Sequence, residues 1–145
     1  MSAVPLPAAT YSPHLPKAAI EKGLVSDAQL EAVVYAGQAH AIVGPEGFRR
    51  GFFIGDGTGV GKGREIAAII WDNYQQGRKK AVWLSQNKPL LNDAKRDVEG
   101  VGWNPDMVFD ITKTAYGAVP DNKEGIAFIG YDGLKQTQRR ENPHT

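Results

Sequence analysis

Between Gly55 and Gly63 the chain reads Gly-Asp-Gly-Thr-Gly-Val-Gly-Lys-Gly, with glycine at every second position and a lysine at position 62. Each ordered glycine costs roughly 0.5–1 kcal/mol relative to alanine, so a run of five is kept only for a reason. Two reasons are available: a backbone that needs positive φ, or one that must approach something more closely than a Cβ allows. A phosphate group satisfies both. Backbone N–H groups of such a loop, and of the first turn of a helix after it, point at phosphate oxygens. The helix dipole adds about +0.5 of an elementary charge at that end. Lys62 then supplies a full positive charge. This chemistry requires a strand before the loop and a helix after it.

The flanking residues carry that pattern. Gly51-Phe-Phe-Ile54 is a short apolar run bounded by glycines and is expected to form a buried strand. After the loop, Ile66, Ile69, Ile70 and Tyr74 recur at helical spacing, and Gly77 stands where a helix C-terminus wants a left-handed residue. Upstream, Ser26 is a candidate N-cap for a helix with Leu30, Val33, Val34 and Ala41 on its apolar side. Downstream, Ala81-Val-Trp-Leu84, Met107-Val-Phe109 and Ile126-Ala-Phe-Ile129 read as strands. Between the first two of these, Asn87-Lys88-Pro89 opens a helix with Leu90, Leu91, Ala94 and Val98 on one stripe and Gly100 closing it. Gly44 to Gly47 and Gly117 to Gly125 are loops. Short apolar runs alternating with helical patterns predict an α/β fold, a parallel sheet with flanking helices. Four of the nine prolines lie in the first 16 residues, so residues 1–23 are expected to be an extended, poorly packed leader.

Composition narrows the function further. The chain has 145 residues, with 17 Lys+Arg against 16 Asp+Glu, a net charge of +1, and 41% hydrophobic residues. That excludes a strongly basic nucleic-acid tail and the disordered class. The absence of cysteine excludes a disulfide scaffold, a thiolate metal site and a cysteine nucleophile. It also fits a reducing compartment. No apolar run approaches the roughly 20 residues of a membrane span, and the start lacks the basic n-region of a secretory signal. His14, His40 and His144 are scattered, with no carboxylate at ligand spacing, so no metal site of protein ligands is expected. Trp71, Trp83 and Trp103 read as core or edge packing, with base stacking by Trp103 the alternative. A two-lobed NTP-driven motor needs about 300 residues, which leaves room here for one lobe, apparently incomplete.

Against the pattern G-x-x-x-x-G-K-[ST], the chain has Asp56 where glycine is usual and Gly63 where a hydroxyl ordinarily ligates Mg2+. Phe52 to Arg64 with Ile66-Ala-Ala-Ile-Ile70 nevertheless closely resembles the nucleotide-binding motif of the strawberry notch family, among the superfamily 2 helicase-like ATPases. That family carries glycine after the P-loop lysine, so Gly63 matches its pattern. Leu24 to Ala36, Gly77 to Ser85, Asn92 to Asp97 and Ile126 to Leu134 resemble further family segments in family order, and the resemblance covers roughly residues 24–135.

The resemblance implies a RecA-like P-loop NTPase domain over residues 24–145, binding ATP with Mg2+ through Gly57, Thr58, Gly59, Val60, Gly61, Lys62, Gly63 and Arg64. Lys62 would act on the β- and γ-phosphates as the catalytic residue, and Gln29 would lie near the adenine. It also implies action on nucleic acid, DNA first, through turns holding Ser85, Gln86, Lys88 and Tyr131. For Lys88 a solvated surface charge is the equal alternative. The runs Arg78-Lys79-Lys80 and Arg139-Arg140 read as solvated faces. The family's strand ending in Asp-Glu and its second RecA-like lobe with an arginine finger are not in this sequence. Asp110 and Asp132, each after a strand, read as ordinary strand-end carboxylates. The chain is therefore expected to grip ATP and hydrolyse it slowly by itself, in the cytoplasm or the nucleus and away from membranes. Two other readings stay open: a non-catalytic nucleotide-binding module or fragment that needs a second polypeptide, and a small-molecule phosphotransferase.

Overall fold

The computed structural model describes residues 8–55, 61–111 and 123–131. In chain order the elements are α1 (Lys17–Glu21), α2 (Asp27–His40), α3 (Lys62–Gln75), β1 (Lys80–Ser85), α4 (Leu90–Gly100), β2 (Val108–Asp110) and β3 (Gly125–Gly130). A 3-10 turn, Pro105–Met107, leads into β2. The three strands form one parallel sheet in the order β1-β3-β2.

The register explains the sequence pattern of each strand. Ala81 pairs with Ile126 and Trp83 with Phe128, while Val108 pairs with Ile126, which puts these side chains on one face. That face meets the helices through Ala67, Ala68 and Trp71 of α3 and Ala94 and Val98 of α4. On the other face of β1, Val82 and Leu84 are 65% and 52% exposed. Central β3 is buried along Ile126, Ala127 and Phe128 and so reads as a continuous apolar run, whereas edge strand β1 alternates.

Helix ends follow local chemistry. Ser26 caps α2 by accepting from the Gln29 N–H at 3.2 Å, and Gln29 Oε1 accepts from the Ser26 N–H at 3.0 Å, which closes a capping box. Gly77 takes φ +96° just past α3, as expected. Gly100 is the last residue of α4 and not its stop; the left-handed residue is Gly102, φ +97°. The expected stripe of α3 is only half-buried, and the fully buried positions are Glu65, Ala67, Ala68, Trp71 and Asp72. The cause is tertiary: α3 lies between α2 and α4, so small residues sit where helices approach most closely.

Two expectations are overturned. Gly51 to Ile54 forms no strand; it pairs with none of the three strands, and Phe53 is 88% exposed. Four apolar residues specify neither a period nor a partner, and strand formation depends on the ladder a neighbour offers. Nor is the proline-rich start poorly packed where it is described. Leu15 and Ala19 are buried in the core, and the Tyr11 ring lies against Gly37 of α2. Prolines fix this segment in extended form, and its apolar side chains then dock. Trp103 stacks on Trp71 with centroids 5.7 Å apart and meets Tyr74 edge-on at 5.1 Å, so its ring is engaged within the protein and not offered to a base. Among the described residues no helix is long and apolar enough to cross a membrane.

Candidate functional site

The phosphate-loop residues that the structure describes converge on the N-terminus of α3. Gly61 is its N-cap, with φ +77° and ψ +43°, a left-handed conformation that a side chain resists. Its carbonyl accepts from the N–H groups of Arg64 at 3.1 Å and Glu65 at 3.2 Å. Lys62 is the first helical residue, half-buried, and none of the ion pairs among the described residues uses it. Gly57, Thr58, Gly59 and Val60 lie outside the described residues.

Gln29, distant in sequence, reaches this point. It is only 8% exposed, and a Cβ placed on Gly61 would fall 2.5 Å from its Nε2. With Oε1 held by the Ser26 N–H, the amide is fixed and its Nε2 lies against the loop. Arg64 turns away from this convergence, its guanidinium 3.0 Å from where a side chain on Gly100 would begin.

Sequence reasoning did not single out Asp97, which the structure brings against Gly63. Gly63 has no positive φ, so its role is close approach: a Cβ there would lie 1.9 Å from Asp97 Oδ2, 2.6 Å from Cγ and 3.2 Å from Oδ1. Burial pushes the Asp97 carboxyl above its ordinary range, with Arg64 and then Arg96 opposing and Asp93 reinforcing the shift. The readable signal was the pairing of a glycine at a position that usually holds a hydroxyl with a carboxylate on the next helix, which only contact reveals.

The residues expected to touch nucleic acid gather at the carboxyl edge of the sheet. Ser85 ends β1 and pairs with Gly130, the residue before Tyr131, so Ser85 and Tyr131 stand at neighbouring strand ends. Gln86 and Lys88 follow on the exposed turn into α4, and Tyr131 is itself exposed. Open parallel sheets bind ligands at this edge. Lys88 is more than a solvated charge, since its Nζ lies 3.3 Å from Oδ2 of Asp110 at the end of β2. Asp110 is thus a partnered strand-end carboxylate, while Asp132 and Arg139-Arg140 lie outside the described residues.

Among the described residues no group of three or more His, Asp or Glu is placed to hold a metal. His14 lies with Asp72, its Nδ1 3.5 Å from Oδ1, at the far end of α3 from Lys62. Burial, then Arg78 and Arg49, hold His40 below its usual pKa.

A family model described as P-loop containing NTP hydrolase pore-1 matches residues 1–145. The chain is 42% identical over 139 residues to protein strawberry notch homolog 1 of Gallus gallus, covering 92% of this chain and 11% of that protein. It is 43% identical over 129 residues to protein strawberry notch of Drosophila melanogaster, covering 86% of this chain and 8% of that protein. Against protein FORGETTER 1 of Arabidopsis thaliana the identity is 40% over 138 residues, 92% of this chain and 11% of that protein. The chain therefore spans about a tenth of the length of the curated relatives it matches. No solved structure matches the chain.

Proposed function

Because the chain belongs to the strawberry notch family and has its P-loop NTPase fold, we propose that it is the ATP-gripping lobe of a helicase-like ATPase acting on nucleic acid. The observation that carries this reading is the junction at α3, where a left-handed Gly61 delivers Lys62 to the first turn of a 14-residue helix. The N–H groups that open that turn and the helix dipole favour an anion, and Lys62 gives it a full charge. Phosphates of ATP are placed on Gly57 to Arg64, with Lys62 on the β- and γ-phosphates. We assign the adenine to Gln29, which already lies against Gly61. Mg2+ accompanies the nucleotide and supplies charge neutralisation at the phosphates. We place residues 24–145 in this lobe and residues 1–23 ahead of it, and we place DNA on the strand-end turns with Ser85, Gln86, Lys88 and Tyr131. The second RecA-like lobe is the partner this reading requires, and the cytoplasm or nucleus is its compartment.

The alternative of a nucleotide-binding module without turnover is favoured by one observation. Asp110, a strand-end carboxylate of the kind that serves Mg2+, is paired with Lys88. The two readings differ in whether single-stranded DNA stimulates ATP hydrolysis by the chain together with a second lobe. The nucleotide site itself is tested by Lys62→Ala, followed by calorimetric titration with ATP. Binding is expected to be lost, because the full positive charge that Lys62 brings to the phosphates is gone. Unchanged affinity overturns the site.

A further inference from the structure

At position 63 a P-loop ordinarily presents a hydroxyl to Mg2+. This chain has Gly63, and the structure shows what stands there instead. Asp97 Oδ2 lies 1.9 Å from where the Cβ of a side chain at position 63 would be, little more than a carbon–oxygen bond. Gly63 therefore does more than omit the hydroxyl: it clears the space for a carboxylate delivered from another helix. Asp97 comes from α4, one position before Val98, whose side chain is fully buried in the core between α4 and the sheet. That packing fixes the backbone from which the carboxylate projects.

The charge balance argues that the contact is more than packing. Burial disfavours the ionised form of Asp97, while Arg64 and then Arg96 oppose that penalty. A carboxylate at the positive end of α3 is favoured by the helix dipole. Yet against Gly63, at the helix end read as a triphosphate site, it also repels the anion that the site exists to bind. That repulsion becomes attraction when a divalent cation stands between carboxylate and phosphate, and carboxylate oxygen is the preferred donor for Mg2+.

We propose that Asp97 supplies, from α4, the Mg2+-facing oxygen that Gly63 does not, holding the nucleotide's Mg2+ directly or through one of its waters. The proposal rests on the nucleotide-binding reading above, and it makes α4 part of the nucleotide site. A carboxylate in this role carries a negative charge where a hydroxyl is neutral, so nucleotide binding depends more steeply on the cation than in a P-loop with serine or threonine.

The test is calorimetric titration of the full chain with ATP, in Mg2+ and in EDTA, for the unaltered protein, for Asp97→Asn and for the double variant Gly63→Ser with Asp97→Ala. The unaltered chain should bind ATP at least about tenfold more tightly in Mg2+ than in EDTA. Asp97→Asn should lose that gain while binding metal-free ATP as well as before or better, since a repelling charge is gone. The double variant, with a hydroxyl in the vacated space, should recover a Mg2+ gain. An undiminished Mg2+ gain in Asp97→Asn overturns the proposal and leaves the nucleotide reading standing. If Asp97→Asn loses the gain and the double variant recovers none, the carboxylate only positions the loop, and the proposal fails. No ATP binding by the unaltered chain in either condition overturns the nucleotide reading and this proposal with it.

Discussion

Asp72, on the last turns of α3, is 1% exposed and gathers the N-terminal segment around it. Its Oδ2 accepts from the Tyr11 hydroxyl at 2.6 Å and from Gln76 Nε2 at 3.1 Å, and its Oδ1 accepts from the His14 backbone N–H at 2.5 Å. Burial first, then the bond to Asp72, hold the Tyr11 phenol well above its ordinary pKa, so it stays a donor throughout the working pH range. Hydrogen bonds to charged groups contribute roughly 1.5–3 kcal/mol each, so Tyr11→Phe should destabilise by that much. Asp72→Ala takes a charged acceptor from three part-buried donors at once and should cost about 3–5 kcal/mol, at roughly 1–3 kcal/mol for each donor left unsatisfied. Against a total of about 5–15 kcal/mol, the second change approaches unfolding. Urea denaturation reports both, because Trp71 is the immediate neighbour of Asp72 and its stacking on Trp103 gives a fluorescence signal. The double variant should fall short of the sum of the singles by about 1–2 kcal/mol, since both remove one contact. Additivity within about 0.3 kcal/mol refutes the claim that Tyr11 and Asp72 stabilise each other. The contact has functional weight because the strap clamps the same helix whose other end presents Lys62.

Three further outcomes are expected. Gly37→Ala should destabilise by about 1–3 kcal/mol in spite of alanine's helix preference. The new Cβ would meet the Tyr11 ring at 2.2 Å, and Tyr11→Ala in the same chain should relieve it, as thermal melts can show. Gly61→Ala should cost roughly 1–2 kcal/mol for the left-handed backbone, and it should weaken ATP binding in calorimetry because its Cβ falls 2.5 Å from Gln29 Nε2. His40, whose neutral form the folded state favours, contributes stability above the ordinary histidine pKa of about 6.5, and that stability is lost as pH falls through the folded value. Melting temperatures between pH 7.5 and pH 5 should therefore fall less for His40→Gln than for the unaltered chain, by a slope of at most ~1.4 kcal/mol per pH unit; equal slopes refute the assignment.

The sequence by itself determined whatever depends on neighbours along the chain. The Ser26 cap, the lysine at the first turn of α3, the stop at Gly77 and the three strands around Ala81, Val108 and Ile126 are local readings, because capping, helical period and apolar runs act over a few residues. The family, too, was legible in the order of its motifs. Tertiary structure decided the rest, because pairing and close approach involve residues far apart in sequence. Phe52 and Phe53 look like a strand and are left exposed without a ladder, while the proline-rich start folds onto Gly37 and Asp72. The same cause separates two glycines of one loop. Gly61 is required by its own φ, which a turn-forming sequence already suggests, whereas Gly63 is required by Asp97, a carboxylate 34 positions on that only the packing of α4 against α3 brings to it.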